Sequence, residues 1–183
     1  MSKILITSFE PFGLIGSWVR GNNASKQVME KLQKEHGNNF TYATFPTSDE
    51  GIAQFEACLQ KENPTGILSM GEHLLAFPEK VKIEPFANDT SVSVMPLKHL
   101  FSDTVTSDFV TSINEPQDSS LIGGYYCNQI YLRGLNWSKQ NGNPPVAFAH
   151  IPVLGNHNEH TSQVLGILEK MEQYNVPNTR HEI

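Results

Sequence analysis

Apolar residues recur along the chain in two rhythms, as short continuous runs and at spacings of three or four, and their alternation predicts strands and helices in turn. Lys3 to Ser8 reads as a short buried strand that ends in the turn Phe9-Glu10-Pro11-Phe12-Gly13. Ser25 to His36 then carries Val28, Met29 and Leu32 at helical spacing, with Gly37 as a stop. Phe40 to Phe45 alternates like a second strand. Thr47-Ser48-Asp49-Glu50 offers capping groups for a helix with Ile52, Phe55 and Leu59 on one face, ended by Pro64. Gly66 to Met70 is a third apolar run, closed by Gly71, and Val81 to Phe86 reads as a further strand.

The middle of the chain is patterned less sharply. Asn88 to Val94 is small and polar, Pro96 to Phe101 reads as a helical turn, and Phe109 to Ile113 as a strand. From Tyr125 the helical spacing returns through Ile130, Tyr131, Leu135 and Trp137, followed by the loop Asn141-Gly142-Asn143-Pro144-Pro145. Val146 to Ile151 is a late strand. A last helix over Glu159 to Tyr174 places Val164, Ile167, Leu168 and Met171 on one stripe, leaving 175–183 as a loose tail. Strand and helix alternating in this order imply an α/β fold, a three-layer α/β/α domain around a mostly parallel, twisted central sheet.

At 183 residues with 38% hydrophobic content, the chain suits one domain spanning 1–183 and is too short to make two. Its 13 Lys+Arg against 19 Asp+Glu give a net charge of -6 without a basic stripe, which argues against nucleic acid as a partner. The apolar start Ile4-Leu5-Ile6 is soon interrupted by Glu10, too early for a signal peptide, and no segment approaches the roughly 18 apolar residues of a membrane span. Two cysteines, Cys58 and Cys127, fit a reducing compartment. The expectation is a cytoplasmic protein without membrane contact.

Cys127 stands just after Gly123-Gly124, where a helix is ready to begin, and unsatisfied N–H groups at a helix start favour thiolate over thiol. An isolated cysteine is more often a packed, inert thiol, a description that suits Cys58 inside its helix. His150 closes the strand Val146-Ala147-Phe148-Ala149-His150. In open α/β sheets ligands sit outside the carboxyl ends of strands, so His150, Gly71 and the turn Phe9 to Gly13 can converge on one rim that Cys127 can reach. A histidine there can exchange a proton with the thiol, or simply be satisfied by a backbone carbonyl. Glu84, among apolar neighbours in a strand, is either an edge position or a group with a purpose. His157 and His160, three apart, invite a metal reading, but no HExxH or cysteine motif accompanies them, and a loop and first helical turn suit solvent exposure. Phe9 and Phe12 taken alone are core packing.

Four stretches together resemble the pyroglutamyl-peptidase (pyrrolidone-carboxylate peptidase) family, cysteine peptidases that remove an N-terminal pyroglutamyl residue from peptides. Ile6-Thr7-Ser8-Phe9-Glu10-Pro11-Phe12-Gly13 is similar to its N-terminal strand and turn, and Ile83-Glu84-Pro85-Phe86-Ala87-Asn88 to its glutamate motif. Gly124-Tyr125-Tyr126-Cys127-Asn128 resembles its nucleophile motif, and Phe148-Ala149-His150-Ile151-Pro152 its histidine motif. The matches fall in family order over nearly the whole chain. The resemblance implies a thiol peptidase with Cys127 as nucleophile, His150 as general base and then acid, and Glu84 orienting the imidazole. It further implies that Phe9 and Phe12 flank the flat lactam ring and that Gly13 and Tyr126 are substrate-binding positions. The implied partner is a small peptide with N-terminal pyroglutamate, the implied assembly a tetramer or dimer, and no metal or organic cofactor is called for.

The chain also departs from the family. Arginine usually follows the glutamate, where this chain has Pro85, and a second arginine follows the asparagine, where it reads Asp89-Thr90-Ser91-Val92-Ser93. The segment before Met95-Pro96-Leu97-Lys98 is shortened to Asp89 to Val94. Two alternatives therefore stand beside the peptidase: a related cysteine hydrolase or amidase taking another acyl group, and a binding homologue without catalysis.

Overall fold

A computed structural model describes residues 3–11, 22–73, 80–89, 104–113 and 126–174. Phe12 and Gly13, the Pro96 to Phe101 turn, Gly124-Tyr125 and the 175–183 tail lie outside the described residues. The elements run β1 (Ile4–Phe9), α1 (Ala24–His36), β2 (Thr41–Phe45), α2 (Asp49–Glu62), β3 (Gly66–His73), β4 (Lys82–Ile83), β5 (Phe86–Asn88), β6 (Thr104–Thr106), α3 (Asp108–Ser112), α4 (Tyr126–Gln140), β7 (Val146–Pro152) and α5 (His157–Tyr174). This is the expected α/β architecture. A five-stranded sheet in the order β2-β1-β3-β7-β4 is parallel throughout except for its edge strand β4.

Side chains alternate across a strand, so the central strands β1, β3 and β7 each feed two cores. Ile4, Ile6, Leu68, Met70, Ala147, Ala149 and Ile151 pack with Val28 and Leu32 of α1 and with Val164, Leu168 and Met171 of α5. The intervening residues Leu5, Phe9, Ile67, Val146 and Phe148 pack on the other face with Phe55 and Leu59 of α2 and Ile130, Tyr131 and Leu135 of α4. Two helical layers thus enclose the sheet, and burial on both faces explains why its strands read as continuous apolar runs.

The helix ends follow side-chain chemistry. Asn23 caps α1, its Oδ1 accepting from the N–H groups of Ser25 and Lys26, and Gly37 closes that helix at φ 52°. Ser48 caps α2 through Gly51 N–H, and Asn63 ends it in the left-handed conformation at φ 43°, one residue before Pro64.

Three expectations need correction. Phe109 to Ile113 was expected as a strand and is the short helix α3, because the Ser107 hydroxyl takes the N–H of Val110 and turns the chain, while Phe109 and Val110 still reach the core. Gly71 does not close the third run: β3 continues to His73, pairing Gly71 with His150 of β7. Val81 to Phe86 is two strands rather than one. Pro85, which lacks an N–H, separates β4, paired with β7, from β5, paired with β6 in a second small sheet. No helix among the described residues is long and apolar enough to cross a membrane.

Candidate active site

The carboxyl end of β7 carries His150, and strand alternation from Val146 and Phe148 points it toward α4. Edge strand β4 runs antiparallel to β7 with Ile83 opposite Ala149. Ile83 faces the α1/α5 core, so the next residue, Glu84, faces the same side as His150. The N–H of Glu84 donates to Phe148 O at 2.9 Å and continues the ladder by one bond. A slip of one residue in this register would turn Glu84 to the wrong face of the sheet.

With that register fixed, Glu84 Oε1 lies 2.5 Å from His150 Nδ1. Both side chains are buried, Glu84 at 1% exposure and His150 at 7%. The other Glu84 oxygen, Oε2, is buried without a hydrogen-bond partner among the described residues. Burial alone would drive the proton off His150. The hydrogen bonds that His150 makes to Cys127 and Glu84, reinforced by charge attraction to both, outweigh it and hold the imidazole pKa up at about 9.

Cys127 is the second residue of α4, half-buried and free of any disulfide. It approaches His150 from α4 on the same face of the sheet, and the room for it comes from Gly71. A Cβ at Gly71 would stand 3.0 Å from Cys127 Sγ and 2.9 Å from Phe148 Cζ, both too close for a methyl group. The Phe148 ring also meets His150 edge-on, with ring centroids 5.1 Å apart. The glycine therefore belongs inside β3, directly beneath the thiol.

Two residues of α4 tie it to the strand pair that delivers Glu84. The N–H of Asn88 donates to Asn128 Oδ1 at 2.7 Å, and Asn128 Nδ2 donates to Asn88 O at 2.9 Å. One turn on, Tyr131 Oη donates to Glu84 O at 3.1 Å. Sequence reasoning placed Gly71 on the rim only as the end of its strand, and gave no part to Asn128 or Tyr131 in holding the site. The bonded partners lie 40 and 47 positions apart, and periodicity carries no signal over such separations.

The structure thus brings together Cys127, His150 and Glu84 of the sequence-derived candidates. Phe9 is at 3% exposure in the α2/α4 core, in register with Phe45, and Tyr126 packs against that same core. The histidines of α5 depart from expectation. The helix begins at His157, which puts His160 on the core-facing stripe with Val164 and Ile167, and His160 is fully buried instead of solvent-exposed. Its ring lies 5.7 Å from that of half-buried His157, whose pKa is lowered by burial and by His160. No group of three or more His, Cys, Asp or Glu among the described residues could hold a metal ion. Cys58 keeps the character of a packed thiol, its pKa raised by burial and by Glu62.

No protein-family model matches the chain, and neither does any curated protein sequence. Solved structures do share its fold. The pyrrolidone carboxyl peptidase from Thermococcus litoralis superposes with a TM-score of 0.69 at 20% identity, over 95% of this chain and 94% of that one. A mutant pyrrolidone carboxyl peptidase from the hyperthermophile Pyrococcus furiosus gives 0.73 at 17% identity, over 95% and 100%. Pyroglutamyl peptidase I of Bacillus amyloliquefaciens gives 0.70 at 15% identity, over 96% and 98%. The likeness covers nearly the whole of each chain, and at these identities it is a likeness of fold.

Proposed function

We propose that this chain is a divergent pyroglutamyl peptidase, a cysteine peptidase that removes pyroglutamate from the N-terminus of small peptides. The observation that carries the reading is the buried His150, bonded through Nδ1 to Glu84 and bonded also to Cys127. Fold likeness to pyrrolidone carboxyl peptidases supports the same reading independently.

In this mechanism the Cys127 thiolate attacks the pyroglutamyl carbonyl carbon, and the tetrahedral oxyanion takes the backbone N–H of Cys127 as a donor. Collapse breaks the C–N bond, and His150 gives its proton to the departing amine. The thioester left on Cys127 is then attacked by water. His150 takes the water proton and returns one to sulfur as the thioester C–S bond breaks, releasing pyroglutamate. Glu84 holds the imidazole in one orientation and balances its charge throughout, as the acid of a catalytic triad does. Phe9 and Tyr126, with Phe12 and Gly13, are proposed to border the lactam.

A fluorogenic pyroglutamyl amide tests the proposal directly. Turnover is expected for the parent chain and not for Cys127→Ala, and equal rates for the two would overturn it. Faster turnover of a different acyl amide in a substrate panel would instead favour a related amidase. Iodoacetamide is expected to label Cys127 well before Cys58.

A further inference from the structure

The side chain of Asn128 spends both its hydrogen-bonding groups on one residue. Its amide is buried, accepting from the backbone N–H of Asn88 and donating to the backbone O of that same residue. A buried amide satisfied in this way behaves like a rung of a β-ladder supplied by a side chain, and losing either partner strands a polar group away from water. Asn128 also occupies a sensitive place. It follows Cys127 directly in the first turn of α4, where backbone N–H groups have no partner within the helix and the turn is least constrained.

The pair closes a ring of contacts. From Cys127 the chain passes to Asn128, across to Asn88, back along 87–85 to Glu84, through its carboxylate to His150, and so to Cys127 again. Tyr131, three residues after Asn128 and on the same side of the helix, reinforces the ring by bonding Glu84 O. The thiol and the carboxylate are thereby located relative to each other by one helical turn, although they come from elements 43 positions apart in the chain (127 − 84).

We infer that Asn128 is a positioning residue for the reaction proposed above: its bidentate bond to the Asn88 backbone fixes the first turn of α4 and so aims Cys127 at His150. This inference rests on the proposed reaction for its purpose and on the geometry alone for its effect on the thiol. It predicts a reactivity change that does not depend on the substrate.

The test uses the full chain carrying Cys58→Ser, with iodoacetamide labelling of Cys127 measured across pH alongside turnover of the pyroglutamyl amide. Asn128→Ala is expected to slow labelling about tenfold or more and to lower kcat more than it raises KM. Asn141→Ala, which removes a side-chain bond to Trp137 O at the far end of the same helix, is expected to leave the labelling rate unchanged. Asn88→Pro deletes the donor from the opposite side without touching α4, and carries the test if Asn128→Ala does not fold. Its loss should be no larger than that of Asn128→Ala, which removes both bonds, and the double variant should lose no more than Asn128→Ala alone, since the partner of the deleted donor is already gone. Labelling of Asn128→Ala within twofold of the parent, or losses that multiply in the double variant, would overturn the inference. Fast labelling that falls in Asn128→Ala, in a chain without pyroglutamyl turnover, would sustain it while removing the proposed substrate.

Discussion

Glu84 Oε1 lies 2.5 Å from Nδ1 of His150, inside the protein and one strand from the sheet edge. A histidine so partnered ties protonation to folding. Against an ordinary value of 6.5, the folded chain holds the His150 proton up to about 9. Below pH 6.5 folded and unfolded chains both carry it and the stabilisation is complete. Between 6.5 and about 9 only the folded chain does, so stability declines as pH rises, by on the order of 3 kcal/mol in all. Urea midpoints at pH 6.5 and 9 are expected to fall further for the parent than for His150→Gln. Equal falls would contradict the assignment.

Replacing Glu84 by glutamine keeps the volume and removes the charge. The proposed reaction then loses the anion that orients and balances the imidazolium, and kcat is expected to drop by roughly 10²- to 10⁴-fold. The pKa of His150, followed by NMR, should move down, because Glu84 is one of the groups holding it up. An unmoved pKa would mean that Cys127 alone sustains the proton.

Gly71→Ala puts a methyl group 3.0 Å from Cys127 Sγ and 2.9 Å from the Phe148 ring. The ring is not free to retreat, since Phe148 is buried between Tyr131 and His150. Overpacking of this kind costs about 1–3 kcal/mol of stability. It should also displace the thiol, so slower iodoacetamide labelling of Cys127 is expected together with the lower urea midpoint. A destabilised variant with unchanged labelling would show that the ring yields and the thiol does not.

Asn23→Ala removes the cap of α1. Its Oδ1 accepts from two backbone N–H groups and from the Ser25 hydroxyl, all at a buried position. The expected loss is about 1–2 kcal/mol in chemical denaturation. Pyroglutamyl turnover should survive at temperatures where the variant remains folded, because α1 packs on the sheet face opposite Cys127.

Where a segment's partner lies next to it in the helix or strand, the pattern of the chain was a sufficient guide. Val28, Met29 and Leu32 place α1 within one residue of its observed start, and the run at 146–151 places β7 equally well. Local rhythm failed where a distant group decides. Phe109 and Val110 look like strand residues until the Ser107 hydroxyl is seen to serve both Val110 N–H and Val146 O. His160 looks exposed until the helix is seen to begin at His157. Gly71 looks like a terminator because its reason for being glycine, the sulfur of Cys127, is 56 residues further on (127 − 71). The grouping of Cys127, His150 and Glu84 was legible through motif resemblance, whereas the Asn88 and Asn128 pair needed coordinates.

The short edge strand β4 divides the site by endurance. His150 sits on a ladder flanked by β3, in the interior of the sheet, whereas Glu84 follows a strand of two residues with no neighbour on its outer side among the described residues. Amides of interior strands such as β3 and β7 are expected to exchange hydrogen most slowly, and edge segments to open more often. Each such opening would release the carboxylate from an imidazole that stays in place, so that the proposed reaction would pause in a chain otherwise folded. The fraction of molecules ready for the proposed reaction is then expected to follow the closing of one small strand against its neighbour.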